Sequence, residues 1–344
     1  MTDVLLEPSA ATAVRRPRVG FLGVGWIGRN RMEAVLAEDV VEVVAVADPS
    51  SEMAEAAARL APGARLAAGL DDMLRLDLDG VVIATPSALH AAQSIAALQA
   101  GAAVFCQKPL GRSAAETRSV IEVARAADRL LDVDLSYRWT LGARRIRELV
   151  RSGELGRVFA VDLVFHNAYG PDKPWFYDRS LSGGGCVMDL GVHLVDLALW
   201  TLDFPAVTGA ASTLMAGGEP WRLHPERVED YATATLELET GAVVRLACSW
   251  RLQAGCDAVI SAAFHGDAGG AALRNVDGSF YDFTAERYRG VAGETLASGP
   301  DAWGGRAAAD WARRLAAGGR FDPDCVRVAT TAEALDRIYE ASRP

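Results

Sequence analysis

From residue 18 onward, short runs of β-branched and aliphatic residues alternate with longer alanine-rich stretches. The runs at 19–22, 41–47, 80–84, 103–106 and 131–134 are short and aliphatic or β-branched, as the strands of a parallel sheet read. Between them, 29–37, 51–60, 90–99 and 114–127 read as helices, with Gly101 placed as a helix stop. Strand and helix in strict alternation predict a doubly wound parallel sheet with crossover helices. After about Tyr137 the pattern changes. A helix over 141–151 leads into runs that alternate apolar and polar residues, at 157–167, 207–215, 230–238, 242–250 and 257–265. Alternation with period two predicts strands with one face covered, hence a mostly antiparallel open sheet. A helix over 186–202 interrupts the series, and helices near 302–317 and 330–341 close it. The expected organisation is a loose tail over 1–17, a first α/β domain over 18–136, an α+β domain over 137–329, and a final helix over 330–344 that returns toward the first domain.

Composition narrows the partners. A chain of 344 residues has room for two well-formed cores. A net charge of −10 argues against nucleic acid and against an anionic membrane surface, both of which reward clustered cations. No apolar run is long enough to span a bilayer. The cysteines, at 106, 186, 248, 256 and 325, are odd in number and form no CxxC, so neither a disulfide framework nor a zinc site is expected. The segment MTDVLLEPSAATAVRRP carries its acids first and its arginines last, the reverse of a secretory leader, and a reducing cytoplasm is the expected compartment.

The stretch GFLGVGWIGRN, residues 20–30, sets Gly23, Gly25 and Gly28 at G-x-G-x-x-G spacing between a strand and a helix. In a dinucleotide-binding loop the first glycine permits the tight turn, the second lets the backbone approach a pyrophosphate, and the third lets helix pack on strand. Trp26 and Ile27 fill the loop, and the free N–H groups of the helix start meet the phosphates. The second strand ends at Asp48, about twenty residues on, placed to accept from ribose hydroxyls. Asp48 repels a 2′-phosphate, and Pro49, Ser50 and Ser51 bring no compensating cation, so NAD is expected over NADP. The next strand ends carry ATPSALH (84–90) and CQKPLG (106–111). Ligands of open α/β sheets sit at such ends, which brings Thr85, Pro86, His90, Gln107 and Lys108 toward the cofactor.

In this order, together with GGGCVMDLGVHLVDLALW at 183–200, these motifs resemble the glucose-fructose oxidoreductase / inositol dehydrogenase / MocA family of NAD(P)-dependent sugar and polyol oxidoreductases. The resemblance covers about residues 18–344 and implies an N-terminal Rossmann domain. Two positions depart from the family pattern: Gln107 stands where a glutamate usually precedes the KP lysine, and Ser87 where asparagine is commoner. Asp189, His193 and Asp196 are spaced i, i+4, i+7, which on an α-helix shares one face, and Gly183, Gly184 and Gly185 before them leave room for a substrate. The resemblance implies His193 as general base in alcohol oxidation and acid in ketone reduction. It implies Lys108 as the cation that stabilises the developing alkoxide, with Asp189 orienting His193 or holding a neighbouring hydroxyl. The residues alone leave Asp189 open as a helix cap and His193 as a core histidine, and Asp196 as either an orienter or a structural acceptor. A metal held by Asp189, His193, Asp196 and His166 is not expected.

Aromatic and polar residues after the strand ends sketch the substrate pocket. Tyr137, Arg138, Tyr169 and Trp175 are taken as substrate-binding along with Lys108, Asp189 and His193, while His166, Lys173, Tyr177 and Arg179 lie nearby in sequence. Trp250 and Arg251 are assigned to the sheet. The function expected is hydride transfer between a nicotinamide and a secondary hydroxyl or ketone of a sugar, cyclitol or sugar derivative. Alternatives are a redox-neutral enzyme that keeps its NAD bound, and a nucleotide-sugar ketoreductase using Arg138, Arg144, Arg145 and Arg179. A non-enzymatic sensor has no need of Lys108, Asp189 and His193. The family resemblance also implies a homo-oligomer, dimer or tetramer, through the open sheet face.

Overall fold

The computed structural model describes residues 15–342. The first domain runs β1 (Arg18–Leu22), α1 (Trp26–Ala37), β2 (Glu42–Ala47), α2 (Ser51–Leu60), β3 (Arg65–Leu66), α3 (Leu70–Met73), β4 (Gly80–Ile83), α4 (Ser87–Gln99), β5 (Ala103–Cys106), α5 (Ala114–Ala127) and β6 (Leu131–Val133). Its six strands lie in the order β3-β2-β1-β4-β5-β6, and every pairing is parallel. The strand order reverses between β1 and β4. A doubly wound sheet opens its ligand crevice at that point, beyond the carboxyl ends of the strands. Every residue of β4 and β5 is buried, as their unbroken apolar runs require.

The second domain contains α6 (Leu141–Arg151), β7 (Val158–Asn167), α7 (Arg179–Ser182), a π-helical turn over Val187–Gly191, and α8 (Val192–Thr201). There follow β8 (Val207–Ala216), β9 (Glu219–Pro220), β10 (Tyr231–Leu238), β11 (Val243–Ser249), β12 (Ala258–Gly266), β13 (Gly270–Asn275), β14 (Phe283–Arg289) and β15 (Ala292–Ala297). These strands form one nine-stranded sheet, β15-β14-β13-β12-β7-β11-β10-β8-β9, antiparallel except for β7 beside β11. Ile146, Leu194 and Leu197 from α6 and α8 bury one face of it against Leu163, Leu246 and Phe264. The other face presents Val164, Thr213, Thr233, Thr235 and Ala247 and is covered by no helix among the described residues.

Strands β13 to β15 have no counterpart among the sequence expectations. They form the sheet's outer edge, and β15 is exposed over its first four residues, so no one-sided apolar pattern develops there. Helix α9 (Arg306–Ala316) also lies elsewhere than expected. Ala308, Trp311 and Ala312 pack into the first domain's core with Val19, Phe21 and Phe105, and α9 does not close the second domain. Helix α10 (Val328–Ala341) touches both halves. Asp336 accepts from the Ala114 N–H at the start of α5, while Ser212 on β8 donates to the Ile338 carbonyl. The reading of 1–17 as a loose tail lies outside the described residues as far as residue 14. Arg15 and Arg16 are ion-paired with Asp79 and Asp39, and Pro17 accepts from the Glu42 N–H.

Candidate active site

The glycine loop turns from β1 into α1 with Gly23 at φ +82°, where a Cβ would lie 2.5 Å from the Ala84 carbonyl. A Cβ on Gly28 would meet the Gly23 carbonyl at 2.0 Å, so these two glycines are required by the protein's own packing. Gly25 differs: a Cβ there meets nothing within 4 Å. Gly25 also begins α1 without a side-chain cap, which leaves the first N–H groups free for an anion. Trp26 is 60% exposed beside this opening and approaches Tyr281 of the second domain at 6.4 Å between rings. At the end of β2 the two Asp48 oxygens accept from the Val24 and Ser50 N–H groups at 2.8 and 2.9 Å, which fixes the carboxylate at the loop. Open space at Gly25, free helix N–H groups and a fixed acceptor together fit NAD.

Three loop residues expected at the cofactor are spent on the loops themselves. Both ring nitrogens of buried His90 face carbonyls, Nδ1 at 2.7 Å from Pro109 and Nε2 at 2.6 Å from Thr85. The imidazole therefore ties the TP and KP loops together and has no nitrogen left for a ligand. The Thr85 hydroxyl donates to Gln93, and Pro86 starts α4. Gln107 donates its amide N–H to Asp134 at 2.8 Å and accepts from the Lys108 N–H at 2.9 Å. Asp134, one residue beyond β6, is fully buried and also takes the Nε–H of buried Arg31 at 2.6 Å. A glutamate at 107 would set two carboxylates face to face, so the neutral amide suits this neighbour.

Lys108, at the end of β5, reaches across to the second domain. Its ammonium donates to the Asp189 carboxylate at 2.9 Å and to the Asp189 main-chain carbonyl at 2.7 Å. An ammonium has three donors, and the third remains available. The other Asp189 oxygen accepts from the Trp250 indole N–H at 3.1 Å. Asp189 therefore holds Lys108 and Trp250, and does not orient His193. Trp250 moves from the sheet, where the sequence reading put it, into the site. It follows the last residue of β11, and its neighbour Arg251 sits at φ +60° with its guanidinium over the Tyr177 ring.

The expected common face of Asp189, His193 and Asp196 is not formed. Asp189 lies on the π turn, whose wider spacing changes the angle between it and the α-helical residues that follow. His193 stays at the site, its ring 4.8 Å from that of Tyr137, with Nδ1 buried and unpartnered. Burial, with Lys108 and Arg31 nearby, holds the imidazole well below its ordinary pKa. Asp196 turns away and pairs with Arg138 at 2.7 Å and with Thr331 at 3.0 Å. Arg138 is thereby withdrawn from the substrate pocket. Tyr137 is buried as well, packed on His193, Phe165, Phe283 and Trp303, and supports the imidazole from behind.

Trp175 stacks on Phe176, which meets Trp250 edge-on, so Trp175 belongs to the aromatic wall beside Asp189. Tyr169 is half-exposed beside Phe280. His166 bonds Ser249 and stacks on Tyr231, and no group of three or more metal-ligating side chains exists among the described residues. The arginines suggested for a nucleotide are engaged: Arg144 over Trp139, Arg145 with Glu148, and Arg179 over Trp221. Arg31, Asp134 and Trp250 were not anticipated. Asp134 and Trp250 each follow a strand's last residue, a signal that could have found them, whereas Arg31 reads like any charge on a helix.

Comparison with known proteins agrees with this fold. Residues 17–135 match the family described as "Oxidoreductase family, NAD-binding Rossmann fold", and residues 143–272 match the "GFO/IDH/MocA C-terminal domain". The chain is 28% identical over 272 residues to a D-glucoside 3-dehydrogenase of Escherichia coli strain K12, covering 74% of this chain and 76% of that one. It is 30% identical over 250 residues to an inositol 2-dehydrogenase of Leifsonia xyli subsp. xyli, covering 72% and 70%. In fold it is similar to a levoglucosan dehydrogenase solved with NADH and levoglucosan, with TM-score 0.81, 20% identity, and coverage of 95% and 97%.

Proposed function

The chain belongs to the GFO/IDH/MocA family of NAD-binding oxidoreductases, and from that premise we propose that Lys108 and His193 together oxidise a secondary alcohol of a sugar or cyclitol, and reduce the ketone in reverse. Bound NAD supplies the hydride acceptor. One observation carries the assignment of roles: the Lys108 ammonium, from the first domain, is held by two Asp189 oxygens of the second with a third N–H to spare.

That third N–H points the cation at the substrate oxygen, where it stabilises alkoxide character as the proton leaves. His193 takes the proton. Its lowered pKa keeps it neutral and ready to accept at neutral pH, and with Nδ1 buried and unpartnered, Nε2 is the nitrogen assigned to take the proton. Asp189 and Trp250 fix Lys108, while Trp175, Phe176 and Tyr177 offer aromatic faces to the C–H side of a polyhydroxylated ring. Asp48 favours NAD over NADP at the adenosine ribose. The names of the relatives, a glucoside dehydrogenase and an inositol dehydrogenase, support a sugar or cyclitol substrate.

The uncovered sheet face, rich in alanine and threonine, supports a homo-oligomer built through it. All five cysteines are free, and the Cys186 and Cys248 sulfurs lie 3.8 Å apart without a bond, which supports a reducing cytoplasm. No helix among the described residues is long and apolar enough to cross a membrane. The test is a panel of sugars, cyclitols and keto-sugars assayed by nicotinamide fluorescence with NAD and NADP. The proposal expects turnover on some member with NAD preferred; binding of NAD without turnover on any member would overturn it.

A further inference from the structure

The run Gly183–Gly184–Gly185, read from the sequence as room for a substrate, is filled by the protein itself. A Cβ on Gly184 would lie 1.9 Å from the Tyr339 hydroxyl, and one on Gly185 would lie 1.8 Å from the Glu229 carbonyl. Glu229 is fully buried in the segment before β10, and the donors that reach its carboxylate are all uncharged. It accepts the Gly185 N–H at 2.9 and 3.0 Å to its two oxygens, the Val187 N–H at 3.0 Å, and the Tyr339 hydroxyl at 2.8 Å. Its own carbonyl takes the Cys186 N–H at 2.9 Å. Three consecutive residues at the start of the π turn are thus bonded to one side chain and its backbone. The carboxylate sits where the helix begins and orphan N–H groups and the positive dipole end favour an anion.

Asp189 lies two residues past Val187, and its N–H bonds back to the Gly185 carbonyl at 3.0 Å. The segment Glu229 grips is therefore the one whose carbonyl and carboxylate hold Lys108. A buried carboxylate has a high desolvation cost and is poor material for mere stability, since an apolar group would fill the same space. Placed here, its effect is to set the phase of the π turn. We infer that Glu229, supported by Tyr339 from the final helix α10, is the positioning residue that fixes Asp189 and through it the place of the Lys108 ammonium. The inference rests on the proposed role of Lys108, and neither residue touches the reacting atoms.

The test compares full-length holoenzyme, wild type and the variants Glu229→Gln, Tyr339→Phe and Lys108→Ala, on whichever substrate the panel identifies. Displacement of the ammonium by about 1 Å predicts a fall in kcat of about tenfold or more in Glu229→Gln and a smaller fall in Tyr339→Phe, with NAD affinity unchanged. The pH profile supplies a readout that loss of stability alone does not move. The charged and titratable groups near His193 are Lys108, Arg31 and Tyr137, and Asp189 acts on it through Lys108. Burial, Lys108 and Arg31 together lower the His193 pKa, so if Lys108 retreats one of these causes weakens and the acid limb of kcat/KM moves to higher pH. Unchanged kcat and an unchanged acid limb in folded Tyr339→Phe and Glu229→Gln overturn the inference. Should Glu229→Gln fail to fold, Tyr339→Phe, which removes a single hydroxyl, decides alone. If Lys108→Ala keeps full activity, the proposed function fails instead, and the two failures are distinct.

Discussion

Two glycine-rich loops, one in each domain, use the same residue for opposite ends. In the loop Gly23–Gly28 the outer two glycines relieve contacts with the protein's own backbone, while Gly25 faces open space at the start of a helix. In the loop Gly183–Gly185 every position is closed: Gly183 by Arg112 just past the KP loop, Gly184 by Tyr339, Gly185 by Glu229. The first loop leaves open space at an uncapped helix start. The second is a junction where the KP loop, the final helix and the approach to β10 converge behind the turn that carries Asp189. A glycine motif is thus evidence of close approach, and what approaches must be read from the space around it.

The largest effect expected from breaking this contrast is in the closed loop. Gly185→Ala places a methyl against backbone that cannot yield, and should cost about 3 kcal/mol or more, visible as a large fall in Tm. An unchanged Tm would mean that the junction is loose. In the open loop Gly25→Val should leave Tm within a few degrees yet weaken NAD binding by about tenfold or more, on the order of 1.4 kcal/mol, measured by quenching of protein fluorescence. Equal losses of stability and affinity would erase the difference between the loops. A smaller effect concerns charge near the junction. Because burial, Lys108 and Arg31 all lower the His193 pKa, the acid limb of kcat/KM for oxidation should lie below the ordinary imidazole value of about 6.5. Arg31→Met removes one of the lowering causes and should move that limb upward, by less than removal of Lys108 does.

Much of the architecture was legible because period is a physical consequence of burial. Runs apolar throughout became β4 and β5, buried at every position, and alternating runs became β7, β10 and β11. The helices over Ser51–Leu60, Ala114–Ala127 and Leu141–Arg151 have the bounds their caps and periodicity predict; Ser50, Ser113 and Thr140 each accept an N–H from the first turn. The edge strand β15 escaped because an edge exposed to water imposes no strong pattern, and its neighbours β13 and β14 are too short and irregular to show one. At the site, Lys108, Asp189 and His193 lie near one another, as their motifs predict, but Asp189 bonds Lys108 and Trp250 and not the imidazole. The spacing Asp189, His193, Asp196 assumes an α-helix, and a π turn is set by tertiary partners such as Glu229 that no local pattern in HPERVEDY announces. Arg138 and His90 were misassigned for a related reason: a charged or polar residue beside a pocket in sequence is as readily consumed by a buried partner, here Asp196 and two carbonyls.

The most direct test of the central claim separates cofactor binding from chemistry in one variant. Lys108→Ala, assayed with NAD and a substrate found on the panel, should lose about a thousandfold in kcat while the Kd for NAD stays within about twofold, since an electrostatic donor to the developing oxyanion acts mainly in the transition state. A kcat within a few-fold of wild type, or a loss confined to NAD affinity, would contradict it.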